Sequence, residues 1–266
     1  MKRIFFLPFS YLFFLAALNL PKELLSQPTG TDTIILVKPD NRGTIKTSDN
    51  KGYENMVTFT GVGSSSWVIP AGVSKLFVEA WGGGGGATGL GGGGGGGYIN
   101  AIFNVSPGGA LNYTIGGGGA GNATTATNGG ATSISFSSTT IVTSYGGSGN
   151  VTTTYAAALG GGFSGLGAGY YGIPGEAGGS NNFESFALNA ATYRESQTGG
   201  KGGDAGNSPN SGGKGSYQLR EAVVNGAVLY TLYGSDGKMP GGGAGGNLTW
   251  GGRVRNGGQG MIIVRY

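Results

Sequence analysis

"EAWGGGGGATGLGGGGGGGYIN" spans Glu79 to Asn100, and thirteen of the sixteen residues from Gly82 to Gly97 are glycine. Glycine loses more conformational freedom on folding than any other residue, so a run of this length is unfavourable to order. An aromatic residue nevertheless ends the segment before the run, and another begins the segment after it. The stretch therefore predicts either a disordered linker or an ordered structure that only glycine can form.

Glycine is concentrated in the second part of the chain. Six of the 62 glycines lie in residues 1–81, so the other 56 lie among residues 82–266. No Gly-X-Y register runs through them and the chain has only nine prolines, which disfavours a collagen triple helix. Low-complexity disorder is the alternative that such a composition leaves open.

Short segments rich in β-branched and aromatic residues alternate with the glycine tracts. Residues 73–81 alternate in a way that places Leu76, Val78 and Ala80 on one face of a strand. Turn signals such as Pro107-Gly108-Gly109 separate the segments. Further strands are predicted at 34–37, 56–60, 67–69, 98–105, 111–115, 133–136, 141–145, 227–233 and 261–266, and a helix at Ser216 to Asn225. This pattern favours an ordered, mostly β domain over disorder.

The N-terminus has the pattern of a secretory signal peptide. Met1-Lys2-Arg3 is a basic region, residues 4–18 are an apolar stretch of about 15 residues, and a short polar stretch follows. The apolar stretch is short for a membrane span, so we expect cleavage near Ser26 and no stable span afterwards. The mature chain then carries 13 basic and 11 acidic residues, a balance that gives no case for a nucleic-acid partner.

The chain contains no cysteine and no histidine, which narrows the possible chemistry. Disulfides, Ser-His-Asp triads, Cys-His pairs and His-ligated zinc sites are excluded. The dense glycines match dinucleotide and phosphate-loop patterns only by chance, because the required strand–glycine–helix context is missing. No cofactor and no metal are therefore expected.

Carboxylate, lysine, tyrosine and hydroxyl chemistry remain possible, and the carboxylates form no recognisable motif. A secreted hydrolase that uses them is an alternative to a non-catalytic protein. Asp204, Asn207 and Asp236 have suitable oxygens for calcium, but without EF-hand spacing a role in turns is favoured. The carboxylates considered are Glu176, Glu184, Glu195, Asp204 and Asp236.

Aromatic residues between the glycine tracts are the better candidates for a binding site. They occur among Gly, Ser and Asn, a combination that is typical of recognition loops with rigid rings and adaptable polar neighbours. Packing of the same rings onto the domain is the equally weighted alternative. The candidate ligand-binding residues are Tyr170, Tyr171, Phe183, Phe186, Tyr193 and Trp250.

"WVIPAGVSKLFVEAWGGGGG", residues 67–86, resembles the opening of the glycine-rich domains found in bacterial surface proteins and phage tail adhesins. The continuation at residues 91–121 and the closing "GGQGMIIVRY" at residues 257–266 are similar to the same family. The resemblance implies an antiparallel β-sandwich with inserted polyglycine II helical layers, an arrangement similar to that in some animal receptor kinase ectodomains. It also implies roles in adhesion and recognition rather than a shared catalytic activity.

The sequence therefore predicts a signal peptide at 1–26, an N-terminal extension at 27–55, and a glycine-rich β-sandwich domain at 56–266. Residues 150–198 depart from the family pattern and are predicted to be an atypical insert. The function expected is that of a secreted or cell-surface binding module, adhesin-like and non-catalytic, contacting a cell-surface protein or glycan through loop tips. A structural matrix or envelope protein without a specific ligand is the main alternative.

Overall fold

The computed structural model describes residues 53–266 except 90, 123, 151–157, 168, 188–192, 223–226 and 247–254. Every regular element in the described residues is a β-strand, and none of these residues forms a helix of the length and hydrophobicity that crossing a membrane requires. The strands are β1 (Met56–Phe59), β2 (Gly63–Val68), β3 (Lys75–Trp81), β4 (Tyr98–Asn104), β5 (Ala110–Ile115), β6 (Thr132–Phe136), β7 (Thr139–Ser144), β8 (Phe163–Gly165), β9 (Tyr170–Ile173), β10 (Asn182–Ala187), β11 (Tyr193–Thr198), β12 (Tyr217–Ala222), β13 (Ala227–Leu232) and β14 (Met261–Arg265).

The strands form three antiparallel sheets. Sheet A has the order β1-β14-β3-β4-β9, and sheet B has the order β2-β5-β6-β7-β8. A third sheet has the order β10-β11-β12-β13, in which each strand pairs with the next along the chain. The turn at Pro107 and Gly108 has the left-handed backbone at Gly108 (φ 76°) that the sequence pattern anticipates.

Sheets A and B share one hydrophobic core. Leu76 and Ile99 of sheet A are fully buried in the same cluster as Leu111, Ile134 and Val142 of sheet B. Each such side chain contributes roughly 1.5–3 kcal/mol by leaving water. Two twisted sheets that bury their inner faces against each other form a β-sandwich, so the all-β prediction is confirmed.

The first half of the glycine tract between β3 and β4 is held by backbone hydrogen bonds to three segments, one of which is the second half of the same tract. Six consecutive N–H groups, from Gly82 to Ala87, donate to carbonyl oxygens at 2.8–3.1 Å. Each successive N–H group donates to a different segment, and the same acceptor segment recurs at every third residue. Gly82 and Gly85 donate to the tract 91–97, Gly83 and Gly86 to 127–130, and Gly84 and Ala87 to 255–258.

The second half of the same tract follows the same rule. Its N–H groups from Gly92 to Gly97 donate at 2.7–3.0 Å, again to three segments in turn. The acceptors lie in residues 176–179 for Gly92 and Gly95, in 241–244 for Gly93 and Gly96, and in 145–148 for Gly94 and Gly97. Backbone groups that no strand or helix satisfies are thereby paired with distant parts of the chain.

At their glycines, these segments lie too close together for a side chain. A Cβ atom on Gly84 would lie 2.0 Å from the Gly242 carbonyl oxygen, and one on Gly85 would lie 1.9 Å from the Ser148 carbonyl oxygen. Both obstacles are backbone atoms, which cannot move away as a flexible side chain can. We call this hydrogen-bonded region the glycine layer. It comprises residues 82–87 and 91–97, the five segments outside this tract that accept their hydrogen bonds, and residues 203–206, because the Gly203 and Gly206 N–H groups donate to Gly93 and Gly96. It requires glycine for space rather than for conformational freedom.

Two local predictions from the sequence need correction. The segment predicted as a helix at Ser216 to Asn225 contains strand β12 instead, where alternating polar and apolar residues pair with β11 and β13. The region 150–198 contains four strands, β8 to β11, that the sequence pattern did not indicate. The strand predicted at 34–37 lies outside the described residues.

Candidate functional site

A row of large side chains crosses the outer face of sheet A. Met56, Arg265, Phe77 and Ile102 occupy one rung of the sheet, because their backbones are directly paired across four strands. Residues in register share a face, and the alternate residues of these strands point into the core. Met56 is 62% exposed and Ile102 is 50% exposed. This rung therefore presents apolar surface to solvent.

Two further aromatic residues extend the row. The Tyr53 ring lies on the Phe77 ring, with centroids 5.9 Å apart. Tyr171 pairs with Asn100 on the same face, diagonal to Ile102, and is 60% exposed. We call Tyr53, Met56, Phe77, Ile102 and Tyr171 the aromatic band. Its members span sheet A from the edge strand β1 to the edge strand β9.

A polar network lies beside the aromatic band. The Arg265 guanidinium is 5.4 Å from the centroid of the Phe77 ring and forms an ion pair with the buried Glu79 carboxylate. The Tyr98 hydroxyl donates to Glu79 at 2.8 Å, and the Asn100 side-chain amide donates to the Tyr98 oxygen at 3.0 Å. These bonds fix the orientation of the charged groups next to the exposed rings.

Burial raises the pKa of the Tyr98 hydroxyl to about 12. The bond from the Asn100 amide acts in the opposite direction, while the Glu79 carboxylate adds to the rise. A negative charge on Tyr98 would sit in a low-dielectric site next to an existing carboxylate, which accounts for the direction of the shift. The network therefore holds Tyr98 as a neutral donor.

The other end of the same face is covered by the chain. The Trp81 and Tyr98 rings, 4.9 Å apart, pack with Ala205 in a second buried cluster. The Trp81 indole N–H donates to the carbonyl oxygen of Gly206 at 2.9 Å. Because the glycine layer covers this end, the aromatic band is the open part of the outer face.

At the β9 edge, two rings pack onto two glycines. A Cβ on Gly165 would lie 2.5 Å from the Tyr170 ring, and a Cβ on Gly172 would lie 2.4 Å from the Phe163 ring. The edges of sheets A and B are thus joined by reciprocal ring–glycine contacts between β8 and β9. Tyr170 combines this packing role with partial exposure, whereas Tyr171 faces outward.

Five of the six predicted site residues are on strands rather than on loop tips. Tyr170 and Tyr171 belong to β9. Phe183 and Phe186 belong to β10, and Tyr193 belongs to β11, but their side chains are outside the described part of the structure. Trp250 is likewise outside it. Of the six predicted residues, Tyr171 is the one placed in the aromatic band.

The carboxylates considered for calcium have other partners. The Asp204 carboxylate accepts hydrogen bonds from the Gly212 N–H at 2.6 Å and from the Lys201 ammonium at 3.1 Å. Asp236 accepts from the Asn256 N–H at 2.9 Å, and Asn207 has the left-handed backbone of a turn residue (φ 54°). Within the described residues, no three acidic side chains come together as a metal site would need.

Asp204 ionises more readily than an ordinary aspartic acid. Burial on its own opposes ionisation of the Asp204 carboxyl. The hydrogen bonds from the Gly212 and Asn210 backbones and the positive charge of Lys201 together outweigh the effect of burial, so the pKa of Asp204 is lowered. The ionised carboxylate thus ties residues 201–212 together. Its role in the described structure is to hold the chain rather than to face a cleft.

Sequence reasoning missed most of the aromatic band. It placed Phe77 and Glu79 on one face of β3, but it did not identify Tyr53, Met56 or Ile102 as site residues. The available signal was an apolar residue on the side of a strand opposite to its core-facing neighbours. That signal becomes specific only when the order of β1, β14, β3 and β4 in the sheet is known.

Comparison with known families gives one clear relationship. A family profile described as a glycine-rich domain matches residues 59–266, which includes all strands from β2 onward. No curated protein matches the chain significantly. The matched region contains the glycine layer and all of the sandwich except β1. Since the match covers well over half of the sequence, the chain belongs to the glycine-rich domain family.

Proposed function

We propose that the protein is an exported, non-catalytic binding module that contacts a cell-surface protein or glycan. The observation that carries this proposal is the aromatic band, a row of exposed rings and apolar side chains across a solvent-facing sheet. Neighbouring exposed apolar side chains on one face of a protein mark a contact site for a partner. Tryptophan, tyrosine and arginine side chains supply most of the binding energy at protein contact sites.

The surroundings of the band support a role in recognition. Arg265 is already paired with Glu79 and lies against Phe77, so its position is fixed before any ligand arrives. Tyr171 extends from a paired strand rather than from a long loop. A rigid, preorganised surface loses little conformational entropy on binding.

We further propose that the glycine layer consists of polyglycine II helices. A polyproline-II-type helix has three residues per turn and no internal hydrogen bonds, so its N–H groups point outward in three directions. The change of partner with every residue, returning after three, is the pattern expected of such helices in a bundle. In this proposal the bundle is a rigid support for the sandwich and its binding surface.

The biological setting of the proposal comes from the resemblance to glycine-rich domains of bacterial surface proteins and phage tail adhesins. A module of this kind acts outside the cell, which agrees with the signal-peptide pattern of residues 1–26. Expression with the native N-terminus tests this step. We expect the exported protein to begin close to Gln27 when its N-terminus is sequenced, and a protein retained in the cell with Met1 intact would contradict it.

Substitution within the aromatic band tests the binding function. Labelled protein is incubated with a panel of bacterial and animal cells, some treated with protease and some with periodate to distinguish protein from glycan ligands. We expect Tyr171→Ser to weaken binding by at least tenfold, because an anchor ring at an interface contributes about 2 kcal/mol or more. Trp250→Ala tests the second predicted contact in the same assay.

Val62→Ser is the matched control, since Val62 is 56% exposed and lies outside the aromatic band. It should leave cell binding unchanged. Thermal unfolding of both variants should resemble the wild type, because an exposed side chain adds little to stability. The aromatic band would not be the contact surface if Tyr171→Ser bound as strongly as wild type to cells that wild type binds well.

A further inference from the structure

The outer face of sheet B carries an uninterrupted row of hydroxyl groups. Ser64, Thr114, Ser133, Thr143 and Ser164 are in direct register across all five strands of the sheet. Neighbouring strands are about 4.8 Å apart, so these side chains form a line with that regular spacing. The core-facing neighbours Ile115, Ile134 and Val142 show that the row is on the solvent side.

A second polar row lies beside the first. Ser66, Asn112, Ser135 and Thr140 are paired in the same way across four strands. They lie two residues farther along β2, β5 and β6, and three residues farther along β7, where the register shifts by one residue. Consecutive rows on one face are separated by about 6.8 Å, the length of two extended residues. We call the two rows together the hydroxyl face. A shallow depression of about 550 Å³ lies over its β2, β5 and β6 part.

The hydroxyl groups are partly oriented by each other. The Ser64 and Thr114 hydroxyls are 2.8 Å apart, and the Ser135 and Thr140 hydroxyls are 3.2 Å apart. Each hydroxyl can donate one hydrogen bond and accept two, so such a pair still offers donors and acceptors outward. The face is therefore a regular array of groups that are ready to exchange water for another hydroxyl ligand.

The chemistry of the hydroxyl face is also defined by what its strands lack. None of the residues in β2, β5, β6, β7 and β8, all of them described, is Asp, Glu, Lys or Arg. Solvent-facing sheets normally carry charged residues, which keep them soluble and discourage pairing. An ionic partner would lose its hydration here without meeting an opposite charge, and an apolar partner would leave the hydroxyls unsatisfied.

We propose that the hydroxyl face binds a neutral polysaccharide. An uncharged sugar polymer presents alternating donors and acceptors, and it replaces the water bound to these hydroxyls group by group. Tyr145 adds an aromatic surface at the β8 side of the face, where its hydroxyl is 3.3 Å from that of Ser164 and its ring is half exposed. The less polar face of a sugar ring can pack on that ring. This surface is on the opposite side of the sandwich from the aromatic band and is independent of it.

The proposal is tested by co-sedimentation of the full chain with insoluble polysaccharides. The probes are cellulose, a β-1,3-glucan and starch as neutral polymers, with alginate immobilised on beads as the acidic one. We expect retention on at least one neutral polymer, and the same retention when sodium chloride is raised from about 0.05 to about 0.5 M, because no ion pairs are involved. The double variant Ser133→Ala/Ser135→Ala should bind roughly tenfold more weakly through the loss of two hydrogen bonds.

Two further variants make the result specific. Ser66→Glu, a charge placed on an exposed position of the edge strand, should abolish retention, whereas Thr58→Ala on the outer face of sheet A should not change it. All variants should unfold at the wild-type temperature. The proposal is overturned if no neutral polymer retains the protein, if salt elutes it, or if the hydroxyl-face variants bind as wild type. Loss of retention in Tyr171→Ser alone would instead assign glycan binding to the aromatic band.

Discussion

The molecule has two buried regions that are held together in opposite ways. In the sandwich core, large side chains such as Leu111 and Ile134 fill the space between two sheets, and removal of their apolar surface from water stabilises the fold. In the glycine layer, segments approach until backbone meets backbone, and buried N–H and C=O groups satisfy one another. The first region depends on the presence of side chains and the second depends on their absence.

The difference determines how each region tolerates change. An apolar core can relax around a smaller or differently shaped side chain, so substitutions there have a graded effect. At most glycines of the glycine layer, the nearest obstacle to a new Cβ is a main-chain atom, which cannot move aside as a flexible side chain can. The stability of the glycine layer should therefore be lost more abruptly than that of the core.

The largest expected effect is that of one methyl group in the glycine layer. A Cβ on Gly94 would lie 2.0 Å from the Leu159 carbonyl oxygen, which is itself held by the Ser148 N–H at 2.8 Å. We expect Gly94→Ala to destabilise the protein by more than about 4 kcal/mol or to prevent folding. Urea unfolding followed by circular dichroism measures this free energy.

Gly162→Ala is the matched control, because a Cβ there meets no atom within 4 Å. Its expected effect is neutral or a stabilisation of about 0.4–1 kcal/mol, since alanine reduces the freedom of the unfolded chain. If Gly94→Ala and Gly162→Ala gave similar unfolding free energies, the steric account of the glycine layer would be wrong.

A core truncation gives the second-largest effect. Ile134 is fully buried on β6, the central strand of sheet B. Ile134→Ala should destabilise the protein by about 3 kcal/mol, from lost burial and from the cavity left behind, and Ile134→Val should lie near 1 kcal/mol. The same urea titration compares both with Gly94→Ala. A core truncation that destabilises more than Gly94→Ala would reverse the proposed ranking of the two regions.

Much of the sandwich could be predicted from the sequence, because local patterns encode it. The alternation in β3 and β4 identified the faces of the strands, and the turn residues marked where they end. β12 was mistaken for a helix, since its sequence YQLREA contains good helix formers and only its pairing with β11 and β13 favours a strand. Strand pairing with distant residues overrode local propensity at that position.

The candidate site was less predictable, because it depends on which strands are neighbours. Arg265 is 186 residues from Glu79 in the chain, yet the two are paired on one face of sheet A. Tyr171 was identified from composition alone, whereas Met56 and Ile102 resembled ordinary strand residues. The composition also suggested loops, whereas Tyr171 is held in a strand by its pairing with β4. No local pattern specifies sheet order.

The third effect is a dependence on pH that belongs to the glycine layer. Asp204 has a lowered pKa in the folded protein, so its contribution is complete above the ordinary value of about 3.9 and is lost as pH falls through the folded value. Asp204→Asn should therefore be less stable than wild type at pH 7, by about 2 kcal/mol through its weaker hydrogen bonds, and this difference should narrow as the solution becomes strongly acidic.

The unfolding free energies of wild type and Asp204→Asn are measured at several pH values. Their difference isolates the contribution of the Asp204 carboxylate from that of the other carboxylates. Asp236→Asn is the control, because Asp236 is exposed and accepts its hydrogen bond at the surface. That variant should differ from wild type by less than about 0.5 kcal/mol. A stability difference for Asp204→Asn that stayed constant down to strong acid would contradict the assigned role of the charge.

The smallest expected effect lies at the junction of the two regions, where Tyr98 follows the last glycine of the tract and begins β4. Its pKa of about 12 exceeds the ordinary value near 10, so its stabilising contribution is complete below pH 10 and is lost as pH rises through 12. Tyr98→Phe keeps the ring on Trp81 and leaves Glu79 paired with Arg265, so it should destabilise the protein by only about 1 kcal/mol at pH 7.

The absorbance difference between wild type and Tyr98→Phe, followed through alkaline pH, reports the phenolate of Tyr98 alone. A titration midpoint near pH 12 in the folded protein would show that the glycine layer shields the Tyr98 hydroxyl, and with it the polar network beside the aromatic band, from water. A midpoint near pH 10 would show instead that water reaches the Tyr98 hydroxyl.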